Sequence, residues 1–581
     1  MDQPARLHDL SRPLQELHPN ERLKHDSRAL RGTLEQGLAD PLTGAIADAD
    51  TQLTKFFGIY QQDDRDLRDE RRRARLEPRY QFMVRVRMPG GVCTPAQWLA
   101  LDALASENAD GTLRLTSRQT FQFHGVRKRA LKRLVRGIVG CGLDTIAACG
   151  DVNRNVICTA NPLLSPAHAA VSALARAIGT HLLPRTGAYG EIFLGKPPRA
   201  AASGENEEPL YGRTYLPRKF KISLAMPPSN DVDVFAQDLS FVAIVEHGQV
   251  VGYDVLVGGG MGMTHNVPGT YPRLAELAGF CTPDDAVLVA EHTLGIQRDY
   301  GDRHDRSHAR FKYTLEDRGL EWFRAELAQR LGHALAAPRP FRFDSSGDSL
   351  GWVQGAGNTW HYGLYVEGGR IHDGAGRRLK SGLRAIAQRH RGILAVTTNQ
   401  NLIIAGIAGS ERAGIEALLR EYELENDARA SGLRQNSIAC VALPTCGLAM
   451  AESERYLPSL TERLEAILAA AGLERERISI RMSGCPNGCS RPYLAEIALV
   501  GKAPGRYNLY LGASAGGDRM NALYRENIDE PQILAALEPL LHRFARERGS
   551  GEAFGDFLVR CGVVPAMLHG RDFQRITPSA A

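Results

Sequence analysis

Two stretches of the chain alternate apolar and polar residues on either side of a polar turn. "GTLRLTSRQTFQFHGV" (111–126) aligns without gaps to "GILAVTTNQNLIIAGI" (392–407), with five of sixteen residues identical. Alternation with a period of two around turn-forming residues predicts a β-hairpin in each. A mostly helical stretch precedes both, "TPAQWLALDALASENAD" before the first and "SGLRAIAQRHR" before the second. A unit of strand, helix and hairpin is therefore predicted twice.

A weaker echo links "KFKISLAMPPSNDVDVFAQDLSFVAIVEHGQVVGYDVLVGGG" to "RISIRMSGCPNGCSRPYLAEIALVGKAPGRYNLYLGAS". Strand, polar loop, helix-like stretch and strand recur in the same order. The pattern predicts an α+β fold of two pseudo-equivalent halves, roughly 80–345 and 346–570, behind an N-terminal arm. Within the arm, "RDLRDERRRARLEPR" (65–79) mixes both charge signs without aromatics and reads as a solvated helical face. "VGGGMGM" (257–263) lacks the GxGxxG spacing of a dinucleotide loop and reads as a strand-ending turn.

The two copies differ in chemistry. Arg114 and Arg118 of the first hairpin align with Ala395 and Asn399 of the second, and only the second half carries clustered cysteines. One half supplies positive charge and the other thiols, which predicts a site shared between them. At 581 residues, 43% apolar and 24% charged, the chain is long enough for several domains with a large core. A net charge of +5 is too small to indicate nucleic-acid binding. The N-terminus has no basic segment followed by an apolar one, and no apolar run is long enough to span a bilayer, so a cytoplasmic location is expected.

Ten cysteines in such a chain are not a disulfide framework. Six stand singly in mixed apolar contexts, Cys149 among them, and read as small buried hydrophobes. The others pair as "CVALPTC" and "CPNGC": Cys440 with Cys446, and Cys485 with Cys489. Thiolates at such spacing suit an iron–sulfur cluster or zinc. Structural zinc usually takes closer pairs than the first, so the spacing favours the cluster, with zinc and unligated thiols as the alternatives.

"CVALPTCGLAMAESER" followed by "RMSGCPNGCSRPYLAEIALVGKAPGRYNLYLGA" resembles the signature of the sirohaem and [4Fe–4S] sulfite and nitrite reductase family. The likeness continues through "YQQDDRD", "RVRMPGGV", "RLTSRQTFQFHG", "DVNRNV", "LPRKFK" and "RFKYTLE", covering nearly the whole chain. It implies two cofactors, sirohaem and a [4Fe–4S] cluster, with Cys440, Cys446, Cys485 and Cys489 ligating the cluster and Cys489 bridging to the sirohaem iron. It also implies an arm (1–79), ferredoxin-like units (80–160 and 346–430), a sirohaem and substrate domain (161–345), and a cluster domain (431–581).

By the same resemblance Arg85, Arg154, Lys219 and Lys221 take the substrate-binding and proton-delivering positions. Arg114, Arg118, Arg310 and Lys312 are assigned to the cofactor's carboxylates. Lys219 and Lys221 lie two apart, so an extended backbone points both to one face. The implied reaction is reduction of sulfite to sulfide. No stretch suggests a flavin or NADPH site, so electrons are expected from a partner, an NADPH-dependent flavoprotein carrying FMN and FAD or else ferredoxin. The arm resembles that of the flavoprotein-coupled branch and is expected to touch this partner. Nitrite reduction on the same scaffold, and a non-catalytic zinc-binding protein, are the rival readings.

Overall fold

The computed structural model describes residues 12–195, 208–374, 377–426 and 430–573. Both predicted hairpins form, as Leu113–Leu115 with Phe121–Val126 and as Ile393–Val396 with Leu402–Ala408. The preceding helices are Pro95–Asn108 and Leu379–Arg389. The first starts at Thr94, which forms a capping box with Gln97, and has proline in its first turn, where a missing N–H costs nothing.

Each hairpin belongs to a five-stranded sheet, and the two sheets exchange an edge. In strand order the first contains Ile59–Asp63, Tyr80–Arg85, Phe121–Val126, Leu113–Leu115 and, from the second half, Arg370–Ile371. The second contains Gly351–Gln354, Thr359–Leu364, Leu402–Ala408, Ile393–Val396 and, from the first half, Val92–Cys93. These edge strands are only two residues long, but they cover the open backbone edge of the other half's sheet. Ile59–Asp63 pairs along its whole length with Tyr80–Arg85, so this part of the predicted arm is a strand of the first sheet.

Two further sheets share a second topology. Ile157–Cys158, Ile222–Ala225 and Leu239–Glu246 run parallel, and Gln249–Val257 and Glu276–Cys281 follow antiparallel. The second half repeats this order with Ser437–Ala439, Ile480–Ser483, Ile497–Ala503, Arg506–Leu511 and Ala522–Ile528. The stretch "VGGGMGM" is the turn leaving Gln249–Val257. Charged Arg68–Arg73 forms a short helix with no buried residue, as its mixed charges predict.

The glutamine common to both hairpin turns has the same task in each. Gln119 and Gln400 adopt left-handed backbone conformations. The Gln119 amide bonds both backbone groups of Cys158, and the Gln400 amide those of Ala439. Each hairpin is thereby fastened to the first strand of the neighbouring parallel sheet.

The halves meet on a buried ion-pair network. Asp233 and Arg491 occupy equivalent places, each left-handed and each just before a short 3-10 helix. Asp233, wholly buried, accepts from Arg481 at 2.6 Å and from Arg491 Nε. The Nη atoms of Arg491 donate to Ser117 O at 3.1 Å and Thr398 O at 3.2 Å, equivalent carbonyls in the two hairpin turns. Removing one member of such a network strands the opposite charge in a dry interior, which costs several kcal/mol. Asp233→Asn is expected to lower unfolding stability by about 3–5 kcal/mol, read from denaturant midpoints. An unchanged midpoint would show that the network does not hold the halves together.

Candidate functional site

A cavity of about 450 Å³ lies between the halves, with the first hairpin turn on one wall and both cysteine loops on another. All four clustered cysteines line it, together with six of the eight basic residues singled out in the sequence: Arg85, Arg114, Arg118, Arg154, Lys219 and Lys221. Lys55, Arg218, Arg306 and Arg491 join them, whereas Asp151 is the one carboxylate on the lining. Arg114, Arg306 and Arg491 are paired with Glu454, Asp151 and Asp233, and the other seven basic side chains still make an electropositive chamber suited to an anionic ligand.

The cysteines stand at the carboxyl ends of two adjacent parallel strands. Cys440 follows Ser437–Ala439, and Cys485 follows Ile480–Ser483 by two residues. All four are free, and Cys489 is the exposed member. Gly484 N donates to Cys440 Sγ at 3.2 Å, and Asn487 Nδ2 to Cys485 Sγ at 3.6 Å. Gly488 is left-handed, and a Cβ there would lie 3.1 Å from Met261 O, so the turn carrying Cys489 suits glycine. Burial pushes the Cys440 and Cys485 thiols up to about 12, with Cys489 beside them adding to the rise. A cationic centre would reverse that shift and hold the sulfurs as thiolates.

Among the described residues, no three His, Cys, Asp or Glu side chains converge closely enough to hold a single ion. Four sulfurs on one wall, with the first pair widely spaced, suit a polynuclear cluster. The basic wall fits an anionic macrocycle, because Arg118 Nε is buried there without a hydrogen-bond partner.

Lys219 and Lys221 flank Phe220, which is fully buried, in an extended segment bridged to Asn153. Both side chains therefore reach the cavity from one face. Neither ammonium has a hydrogen-bond or ion-pair partner among the described residues. Burial, with Arg218 and Arg310 adding like charge, lowers Lys219 to about 7. Burial and then Lys219 itself drive Lys221 well below the usual lysine range.

The remaining two candidates sit elsewhere. Arg310 forms a buried pair with Asp238 at 2.9 Å, and Asp238 also accepts from Lys221 N at 2.9 Å. Lys312 donates to Gly262 O at 2.8 Å, Gly260 O at 3.2 Å and Tyr271 O. Neither is on the cavity lining, and both brace its walls. The Lys312-held turn receives the second cysteine loop, with Met263 N donating to Pro486 O at 2.9 Å. Arg114 lines the cavity but is also clamped by Glu454 at 2.6 Å, across the halves.

Arg218 and Arg491 escaped the sequence reading although both lie inside motifs it used, "LPRKFK" and "CPNGCSRP". Lys55 and Arg306 carried no comparable signal, since only tertiary structure brings them in. Cys149 is buried, as its apolar context predicts, but its sulfur also contacts two arginines of the cavity wall. Within the arm, the "YQQDDRD" segment braces its own chain: Arg65 donates to Ala449 O at 2.6 Å and Cys446 O at 3.2 Å.

Comparison with known proteins places this geometry in a family context. Residues 174–335 match the family described as "Nitrite and sulphite reductase 4Fe-4S domain", and 74–139 and 353–422 match "Nitrite/Sulfite reductase ferredoxin-like half domain". The four cysteines fall outside these spans, in the second copy of the parallel-sheet domain. The chain is 58% identical to the "Sulfite reductase [NADPH] hemoprotein beta-component" of Chromohalobacter salexigens, over 99% of this chain and all of that one. It is 55% identical to the protein of the same description from Nitrobacter winogradskyi, over 98% and 99% of the two chains. The solved structure of the Mycobacterium tuberculosis NirA protein shares the fold, with a TM-score of 0.76 at 23% identity over 95% of this chain and 97% of that one. No helix among the described residues is long and apolar enough to cross a membrane.

Cys440→Ser is expected to lower the iron and acid-labile sulfide content of the purified protein by more than half. Cys561→Ser, outside the cavity, is expected to leave both unchanged. Undiminished iron in the Cys440 variant would remove that residue from the ligand set.

Proposed function

The chain belongs to the family of sulfite reductase hemoprotein beta-components, and from that membership we propose that it reduces sulfite to sulfide in the cavity between its halves. The observation that carries this reading is the pairing of a thiol wall with a basic wall almost empty of acids. Cys440, Cys446, Cys485 and Cys489 would hold the [4Fe–4S] cluster, with Cys489 shared with sirohaem, and Arg114 and Arg118 would meet sirohaem's carboxylates. When bound, these groups supply stored electrons and an iron that takes the substrate.

The protein supplies anion binding and protons. Arg85 and Arg154 present fixed guanidinium groups suited to a small oxyanion. Sulfite loses three oxygens as water on its way to sulfide, and each leaves only once protonated, so donors beside the bound anion lower the barrier. Lys219, at about 7, lies where an ammonium gives up its proton readily near neutral pH. Its proton is held below that value and lost as pH rises through it, while an anionic ligand nearby shifts the balance back toward the charged form. Lys221, two residues away on the same face, is placed to share the load.

Lys219→Met is expected to depress kcat at least tenfold while leaving the visible spectrum of the loaded protein intact. Unchanged kcat would remove Lys219 from proton delivery.

The electron source follows the same reading. A hemoprotein beta-component implies an alpha-component, and an NADPH-dependent flavoprotein carrying FMN and FAD is the donor we assign. Reduced viologen bypasses that partner, so it allows the substrate to be tested on this chain alone. A higher specificity constant for sulfite than for nitrite, with sulfide recovered, is expected. Higher specificity for nitrite, with ammonia recovered, would overturn the assignment.

A further inference from the structure

Cys149 is fully buried in the tight turn 147–151, just ahead of the "DVNRNV" segment. Phe56 sets this turn. Ala147, in a left-handed conformation, donates its N–H to Phe56 O at 2.7 Å, and a Cβ on left-handed Gly150 would lie 3.0 Å from the Phe56 side chain. The turn therefore has little freedom, and neither does the sulfur it carries.

That sulfur lies between two guanidinium groups. Arg85 Nη1 donates to Cys149 Sγ at 2.7 Å, and Arg154 Nη2 donates to it at 3.2 Å. The adjacent carbonyl, Ala148 O, accepts from Arg154 Nε at 2.8 Å and from Arg85 Nη1 at 3.5 Å. Arg85 closes the strand Tyr80–Arg85, whereas Arg154 precedes Ile157–Cys158, so no single element sets their spacing. Two like charges held close together repel, and neither arginine has a carboxylate within ion-pair distance among the described residues. A polarizable sulfur that accepts from both is the shared anchor.

We propose that Cys149 is a positioning residue for sulfite binding: its sulfur fixes Arg85, which the Gln122 amide oxygen also holds through Nε and Nη2, and Arg154, so that the N–H groups left over, above all Arg154 Nη1, meet one oxyanion. The inference rests on the sulfite-reducing reading above, and wild-type turnover in the same assay tests that reading separately. Cys149 touches neither the reacting atoms nor the cluster ligands, so its loss acts on substrate affinity and leaves the chemical step nearly alone.

The test is steady-state kinetics of the sirohaem- and cluster-loaded protein with reduced viologen and varied sulfite. Cys149→Val removes the acceptor and adds one methyl group. It is expected to raise KM for sulfite about tenfold, the scale of a lost hydrogen bond to a charged group, with kcat within about threefold of wild type. Cys149→Ser restores an acceptor and is expected to bring KM back to within about threefold of wild type. The visible spectrum is expected to match wild type in both, and the thermal midpoint to match it in the serine variant. Should the valine variant fail to fold, Cys149→Ala carries the same expectation. A wild-type KM in the folded acceptor-less variant would overturn the proposal, as would a fall in kcat at constant KM, or a serine variant no better than the acceptor-less one.

Discussion

The geometry of this molecule depends on a buried arginine. Arg491 lies two residues beyond Cys489, pairs with Asp233 of the other half, and holds one carbonyl from each hairpin turn. A guanidinium is costly to bury, and it remains in place only while all its partners are present. The loop carrying two cysteines is therefore keyed to both halves at once. Arg481, 2% exposed, adds a second cation to the same carboxylate. Burial works to raise the Asp233 carboxyl, but Arg481 and Arg491 hold it below its usual range, so the charged network is the native one.

From that lock follows a division of labour between two copies of one architecture. Both halves run three parallel strands into two antiparallel ones, but they place different chemistry on them. In the second half the thiols follow the ends of parallel strands. In the first, Arg154, Lys219 and Lys221 precede the beginnings of such strands. Facing across the cavity, they make a site that neither half has alone. Burial first, and neighbouring cations after it, hold Lys219 and Lys221 below the usual lysine range, so a bound anion favours their charged forms.

Much of this was legible in the chain because it rests on local periodicity. The hairpins, their preceding helices and the repeat follow from alternation and turn residues, and the cysteine pairs from spacing alone. Family likeness then supplied most of the basic wall. Contacts between distant segments left no local trace: the exchange of edge strands through two-residue segments, the arrival of Lys55 and Arg306, and the diversion of Arg310 and Lys312 into bracing. Cys149 shows the limit most clearly. Its neighbours in sequence are alanine and glycine, and only the folded chain brings Arg85 and Arg154 to its sulfur.

The central claim is that one shared cavity receives thiolates from one half and cations from the other. Anomalous X-ray diffraction at the iron edge, on crystals of the fully loaded protein, tests it most directly. The expected map has a dense iron feature beside Cys440, Cys446, Cys485 and Cys489, and a separate iron on the side of Lys219 and Lys221. A single isolated peak among the cysteines, or iron located away from the cavity, would contradict the account.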